Sequence, residues 1–273
     1  MPPLLDRHRT AQARAPVRPR PGIDRTDQVS TGVVLLHGKW DQAPFAIAAL
    51  TDALTAAGHR WRLPTLPWAL RRLYDASFDT ALDQIADEAA ALRHAGCTRV
   101  ILCGHSLGAC AALATAVHRG GVDGLILLAP GHFPERLAAD GHTAASLSIA
   151  KQALANGRGQ TRMPLIDVHQ GRPRQLRIRP DHYLSYFAPE GAAAWPDNCR
   201  RLSTPMPMLW LAERGDGAAP PGIDYAFRQA GAHPASRWLQ LDATHHALPA
   251  QAIDTVLDWL PPQHGQSDHD RHR

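Results

Sequence analysis

Thr98–Ala112, TRVILCGHSLGACAA, is the stretch from which the rest of the chain is read. An apolar, strand-like run meets Gly104-His105-Ser106-Leu107-Gly108, and small helix formers follow at once. This is a G-x-S-x-G motif between a buried strand and a helix, the context that a nucleophile elbow requires. At such a turn the serine backbone is strained, its oxygen projects from the sheet, and the next N–H groups point at the same space. Gly104 and Gly108 flank Ser106 at i−2 and i+2, where a Cβ would collide with the neighbouring strand or helix. Ser106 is the candidate nucleophile, and a tight turn without chemistry is the plainer alternative.

Outward from the elbow the pattern alternates. Gly32–Leu36, GVVLL, reads as a buried strand that ends at His37-Gly38. A helix is expected over Asp41–Gly58, a weak strand over His59–Leu63 and a second helix over Phe78–Ala95, closed by Gly96. Val100–Cys103 is the strand before the serine, Leu107–His118 the helix behind it, and Val122–Leu128 another apolar strand. Pro207–Leu211 and Ser236–Leu241 restore the strand pattern later, with a short helix over Tyr225–Ala230 and a last one over Leu248–Leu260. Such alternation predicts an α/β fold: a mostly parallel central sheet flanked by helices, with loops after the strands gathered on one edge. Residues 132–201 break the rhythm, with a helical stretch around Ala144–Ala155 and the aromatic sequence DHYLSYF at Asp181–Phe187. They read as a cap-like insertion within a single domain over 31–262, between a flexible leader (1–30) and a flexible tail (263–273).

Composition narrows the classes of function. The formal charge of +4 hides an asymmetry, because residues 1–30 carry six Arg against three Asp. The remainder is close to neutral, so no specific nucleic-acid surface is implied. No run reaches the length of a transmembrane helix. The leader lacks an apolar segment before a cleavage site, so a cytoplasmic location is expected unless a signal precedes it. Four cysteines without C-x-x-C spacing are expected as free thiols. Lysine occurs only at Lys39 and Lys151, which makes Lys39 conspicuous mainly by position. The residues call for no metal and no organic cofactor, and they do not specify an oligomeric state.

A serine alcohol needs a base, and a base needs something to hold it. His245 and His246 follow the last strand, and His245 is the expected base because its neighbour in an extended loop should point elsewhere. His105 adjoins the serine but is aimed poorly across the turn. The expected acid is Asp216, in a Gly-flanked loop after the preceding strand; Glu213, nearer the strand end, and Asp242 are the alternatives. Backbone N–H groups of Leu107 and Lys39 are the expected oxyanion donors, with Trp40 as runner-up to Lys39. Trp40, Trp68, Tyr74, Tyr183, Tyr186 and Phe187 are candidates for an apolar substrate pocket, with ordinary cap packing as the alternative.

The stretches VVLLHGKW (Val33–Trp40), LPWALRRLYDASFDTAL (Leu66–Leu82), CGHSLGA (Cys103–Ala109) and DHYLSYFAPEG (Asp181–Gly191) resemble the α/β-hydrolase superfamily. Within it the chain is similar to a poorly characterised bacterial group of serine-hydrolase-like proteins, over about residues 31–262. The resemblance implies Ser106 as nucleophile, His245 as base, Asp216 as acid, and oxyanion donors after His37-Gly38 and after Ser106. Ala243-Thr244-His245-His246 departs from relatives that carry an acidic residue before the histidine. The expected reaction is hydrolysis of a small-molecule carboxylic ester through an acyl-enzyme. A thioesterase or peptidase using the same residues is the alternative, as is a noncatalytic binding protein on this scaffold.

Overall fold

Six parallel strands, Arg60–Arg62, Thr31–Leu36, Arg99–His105, Gly124–Leu128, Met208–Glu213 and Arg237–Leu241, run side by side in that order, and the site is built where their carboxyl ends meet. The computed structural model describes residues 30–169, 171–202, 204–214 and 222–261. The first half comprises β1 (Thr31–Leu36), a 3-10 turn (Ala46–Leu50), α1 (Thr51–Ala56), β2 (Arg60–Arg62) and α2 (Phe78–His94). It continues through β3 (Arg99–His105), α3 (Leu107–His118) and β4 (Gly124–Leu128). An insertion follows: α4 (Pro134–Ala139), α5 (Ala144–Ala155), an antiparallel hairpin of β5 (Met163–His169) and β6 (Arg172–Ile178), α6 (Pro180–Phe187) and α7 (Trp195–Arg201). The chain then re-enters the sheet with β7 (Met208–Glu213) and β8 (Arg237–Leu241) and closes with α8 (Leu248–Gln251) and α9 (Ile253–Trp259).

The unbroken apolar strands are explained by burial on both faces. Along β1, Val34 and Leu36 join one core with α2 and α3, while Val33 and Leu35 join a second core with α1, α8 and α9. β3 and β4 alternate in the same way, with Leu102 and Leu125 on one side and Ile101 and Ile126 on the other. The insertion packs into the first of these cores through Tyr183, Tyr186, Phe187 and Trp195, so its aromatic residues are continuous with the core of the sheet. Cys97, Cys103, Cys110 and Cys199 are buried free thiols, as expected.

Two helices expected from periodicity are shorter than their apolar repeats. The Asp41 carboxylate accepts the N–H groups of Gln42 and Ala46, which holds 41–45 as a loop and delays the helix to the 3-10 turn and α1. The last helix is divided at Ala252 into α8 and α9. The expected Tyr225–Ala230 helix is a 3-10 turn over Phe227–Gln229. Among the described residues no helix is long and apolar enough to cross a membrane. Most of the expected leader and all of the expected tail lie outside the described residues.

Candidate active site

Ser106 stands between β3 and α3 with φ 55° and ψ −118°, a conformation that L-residues rarely adopt. Its geometry is forced from both sides. A Cβ on Gly104 would enter the Gly108 carbonyl, and one on Gly108 would enter the Leu36 carbonyl on β1. Ser106 N–H donates to Leu128 O at 3.0 Å, and its carbonyl accepts from Ala109 N at 3.0 Å, which anchors the turn to β4 and to α3. Trp40, Leu73, Tyr74, Ala129 and His132 are the other non-glycine residues with positive φ among those described. Trp40 and Ala129 each directly precede or follow a loop that touches the serine, so strain gathers here.

The loop after β4 packs directly on the serine side chain. A Cβ on Gly131 would fall 2.8 Å from Ser106 Oγ and 3.6 Å from His245 Cε1, so the hydroxyl and the imidazole flank one point that only glycine leaves open. His245 Nδ1–H donates to Glu213 Oε1 at 2.9 Å. Sheet register explains this contact. Glu213 is the last residue of β7 and pairs with Leu241, the last residue of β8, and His245 lies in the turn just beyond. Their side chains are 16% and 34% exposed respectively, so the pair is sheltered while the imidazole remains reachable. His246 is exposed in the same turn. Asp216 lies outside the described residues; Asp242 is at the surface against Arg214. β7 runs two residues beyond its expected end, which carries Glu213 to the strand terminus opposite His245.

His105 lies beneath this pair and supports it. Its Nε2–H donates to the His245 carbonyl at 2.9 Å, and burial pushes its pKa down to about 3, with the charge of His245 acting in the same direction. The ring is therefore neutral, and it fixes the backbone of the turn that carries the other imidazole.

The loop after β1 approaches from the opposite side. A Cβ on Gly38 would lie 3.1 Å from His105 Nδ1 and 3.4 Å from Ser106 Cβ, so this backbone lies against the elbow. His37 is held as one tautomer: Nδ1–H donates to Gly38 O at 2.9 Å while Nε2 accepts Leu66 N–H at 3.0 Å. Burial, with the ring stacked on Phe45 at 4.1 Å, lowers its pKa to about 4. Fixing the Gly38 carbonyl fixes the whole peptide plane, including the Lys39 N–H that points away from it. Trp40 N–H is committed to Trp68 O at 2.9 Å, whereas Lys39 N–H has no acceptor among the described residues. Leu107 is the first residue of α3, where backbone N–H groups have no partner within the helix.

The Lys39 side chain has a role that its sequence position did not disclose. Nζ donates to Asp167 Oδ1 at 2.6 Å and to Val168 O at 2.7 Å, with side-chain exposures of 7% and 1% for the ion pair. Asp167 also accepts from Tyr74 OH at 2.6 Å and from Val168 N–H at 2.6 Å. This network joins the loop after β1 to the inserted hairpin. Asp167 was not singled out from the sequence, because nothing local marks a contact between residues 128 positions apart.

The six aromatic residues separate into two groups. Trp68, Tyr74, Tyr183, Tyr186 and Phe187 are buried and packed on one another, with Tyr74 and Tyr186 4.8 Å apart and Tyr183 stacked on Phe187 at 4.3 Å. They belong to the core that joins the insertion to the sheet. Trp40 is only partly buried and lies 4.9 Å from the His169 ring at the end of β5. A cavity of about 270 Å³ between Met206, Met208, Phe227 and Ser236 lies at the amino ends of β7 and β8, the edge opposite Ser106. Among the described residues no group of three His, Cys, Asp or Glu side chains is placed to hold a metal ion.

No curated protein matches the sequence. Solved structures do share its fold. The chain is similar to DcsB, determined with its substrate analogue, at 12% identity and a TM-score of 0.60 over 85% of this chain and 90% of that one. A highly thermostable carboxyl esterase from Bacillus coagulans, in complex with glycerol, gives 14% identity and 0.57 over 86% and 90%. A structure from work on the metagenome-derived lipolytic enzymes LipS and LipT gives 18% and 0.55 over 85% and 91%. At such identities these likenesses bear on the fold alone. The family model described as alpha/beta hydrolase family matches residues 33–270, and the chain belongs to that family.

Proposed function

We propose that the protein is a serine hydrolase that cleaves a carboxylic ester through an acyl-enzyme, with Ser106 as nucleophile, His245 as base and Glu213 as the acid. The observation that carries this reading is the contact of His245 Nδ1–H with Glu213 Oε1 at 2.9 Å while the same ring flanks Ser106 Oγ across Gly131. A carboxylate on Nδ1 sets the tautomer that leaves Nε2 free to take a proton, and it stabilises the imidazolium that forms. Glu213 thereby takes the role expected of Asp216.

In this mechanism His245 accepts the Ser106 proton as Oγ attacks the carbonyl carbon. The N–H groups of Lys39 and Leu107 receive the oxyanion, where losing one such donor commonly costs about 3 kcal/mol. His245 then protonates the departing alkoxide, and water activated by the same ring releases the acid and restores Ser106. An ester is favoured because alkoxide departure is easier than amine departure. The kinship of the chain with hydrolases, and the esterase and lipolytic activities named for proteins of this fold, agree with that choice.

The test is labelling with an active-serine fluorophosphonate, read by intact mass. One adduct located at Ser106 and absent from folded Ser106→Ala is expected; no adduct on the folded wild type would assign the scaffold to binding instead.

A further inference from the structure

The inserted hairpin carries three exposed arginines and a single carboxylate. Elsewhere some arginines meet carboxylates, as Arg93 meets Asp123 and Arg119 meets Asp79 and Asp83, while others, such as Arg99 and Arg158, are exposed to solvent. On the hairpin, Arg172, Arg174 and Arg177 are exposed and have no carboxylate partner among the described residues. The one carboxylate of the hairpin, Asp167, is buried and already occupied by Lys39, Tyr74 and its neighbouring amide.

Register separates the three arginines. Arg174 faces Asp167 across the ladder and Arg172 faces His169. Directly opposed residues share a face, with Cβ atoms roughly 5 Å apart. That face carries Leu165 and Asp167 inward and brings His169 against Trp40, beside the loop that meets Ser106. Arg177 alternates to the other face. The surroundings of His169 agree with this placement. Burial chiefly lowers its pKa, Lys39 lowers it and Asp167 raises it, and His245 and Arg174 lower it further.

We infer that Arg172 and Arg174 form an anion subsite beside Ser106 that takes a carboxylate or phosphate carried by the ester substrate. The inference rests on the serine-hydrolase reading and names its substrate class. Guanidinium forks pair with such groups bidentately, and two of them without a competing carboxylate leave that capacity unused until substrate arrives.

The test compares esters matched in length and differing in charge: mono-4-nitrophenyl adipate against 4-nitrophenyl hexanoate, and 4-carboxyphenyl against phenyl butyrate. In the wild type kcat/KM is expected to favour the anionic member of at least one pair by about tenfold, mainly through KM. Arg172→Gln/Arg174→Gln should remove most of that preference, and Arg177→Glu, a larger charge change on the opposite face than either single Gln, should keep it within about twofold. No preference in the wild type, or the same preference in the double variant, would overturn the subsite. A preference lost equally in Arg177→Glu would also overturn it, by reducing the effect to overall charge. If Ser106 is labelled by phosphonate and neutral esters turn over, such a failure belongs to the subsite alone; an unlabelled serine and no turnover of any ester overturn the hydrolase reading as well.

Discussion

The two walls that meet at Ser106 are built by opposite means. On the elbow side, glycines at 104 and 108 let backbone pass backbone at distances that no Cβ tolerates, and hydrocarbon fills the rest. On the side of the β1 loop, position is set by buried polar bonds: His37 to Gly38 and Leu66, then Lys39 and Tyr74 to Asp167. Steric construction sets backbone against backbone, whether local, as Gly104 against Gly108, or distant, as Gly108 against Leu36, and leaves no room for a Cβ. Polar construction depends on partners far along the chain and is sensitive to charge.

That contrast can be broken at several points. Gly108→Ala should give the largest loss, because its Cβ meets the β1 backbone; a fall in stability of about 3 kcal/mol or more is expected, read as the urea midpoint, with no turnover in whatever folds. A stable, active variant would contradict the steric account. Glu213→Gln should lower kcat by about 10²- to 10⁴-fold in folded protein, and at least tenfold further than Asp216→Asn. The reverse ranking would return the acid to Asp216.

Asp167→Asn leaves the Lys39 ammonium buried without its counter-charge, which should cost about 3 kcal/mol. Turnover should fall as well, since the same side chain anchors the Lys39 amide. Lys39→Met/Asp167→Leu should recover part of the stability, because no lone charge then remains, and a double variant weaker than both singles would argue against a coupled pair.

A further effect, spread over several rings, is one of pH. His37, His105 and His132 are buried, with pKa values near 4, 3 and 4, below the ordinary 6.5. The unfolded chain therefore binds more protons than the folded one between about pH 6.5 and 4. Stability should be flat above pH 6.5 and decline below it by roughly 1.4 kcal/mol per pH unit for each ring. A urea midpoint that does not move between pH 7 and 5 would show that these rings are not held neutral.

The same contrast explains what the sequence disclosed. The elbow was legible because strand, turn glycines and helix are contiguous from Thr98 to Ala112. The parallel sheet followed from the alternation of strands and helices, and its two-sided burial from apolar runs such as GVVLL. The contact of Glu213 with His245 was harder to foresee, since it turns on where β7 ends, and strand ends depend on pairing with β8. Asp167 was invisible for a different reason: an acidic residue in a polar hairpin looks like surface until Lys39 and Tyr74 are brought to it. The aromatic cluster was legible as apolar, but not as core rather than pocket, because both require the same residue types.

The account is tested most directly by kcat/KM for a neutral 4-nitrophenyl ester in His245→Ala and His246→Ala, each shown to be folded. A loss of about 10³-fold or more at His245, against a change of less than about threefold at His246, is the predicted result. Equal losses, or the larger loss at His246, would contradict the central claim that the imidazole held by Glu213 activates Ser106.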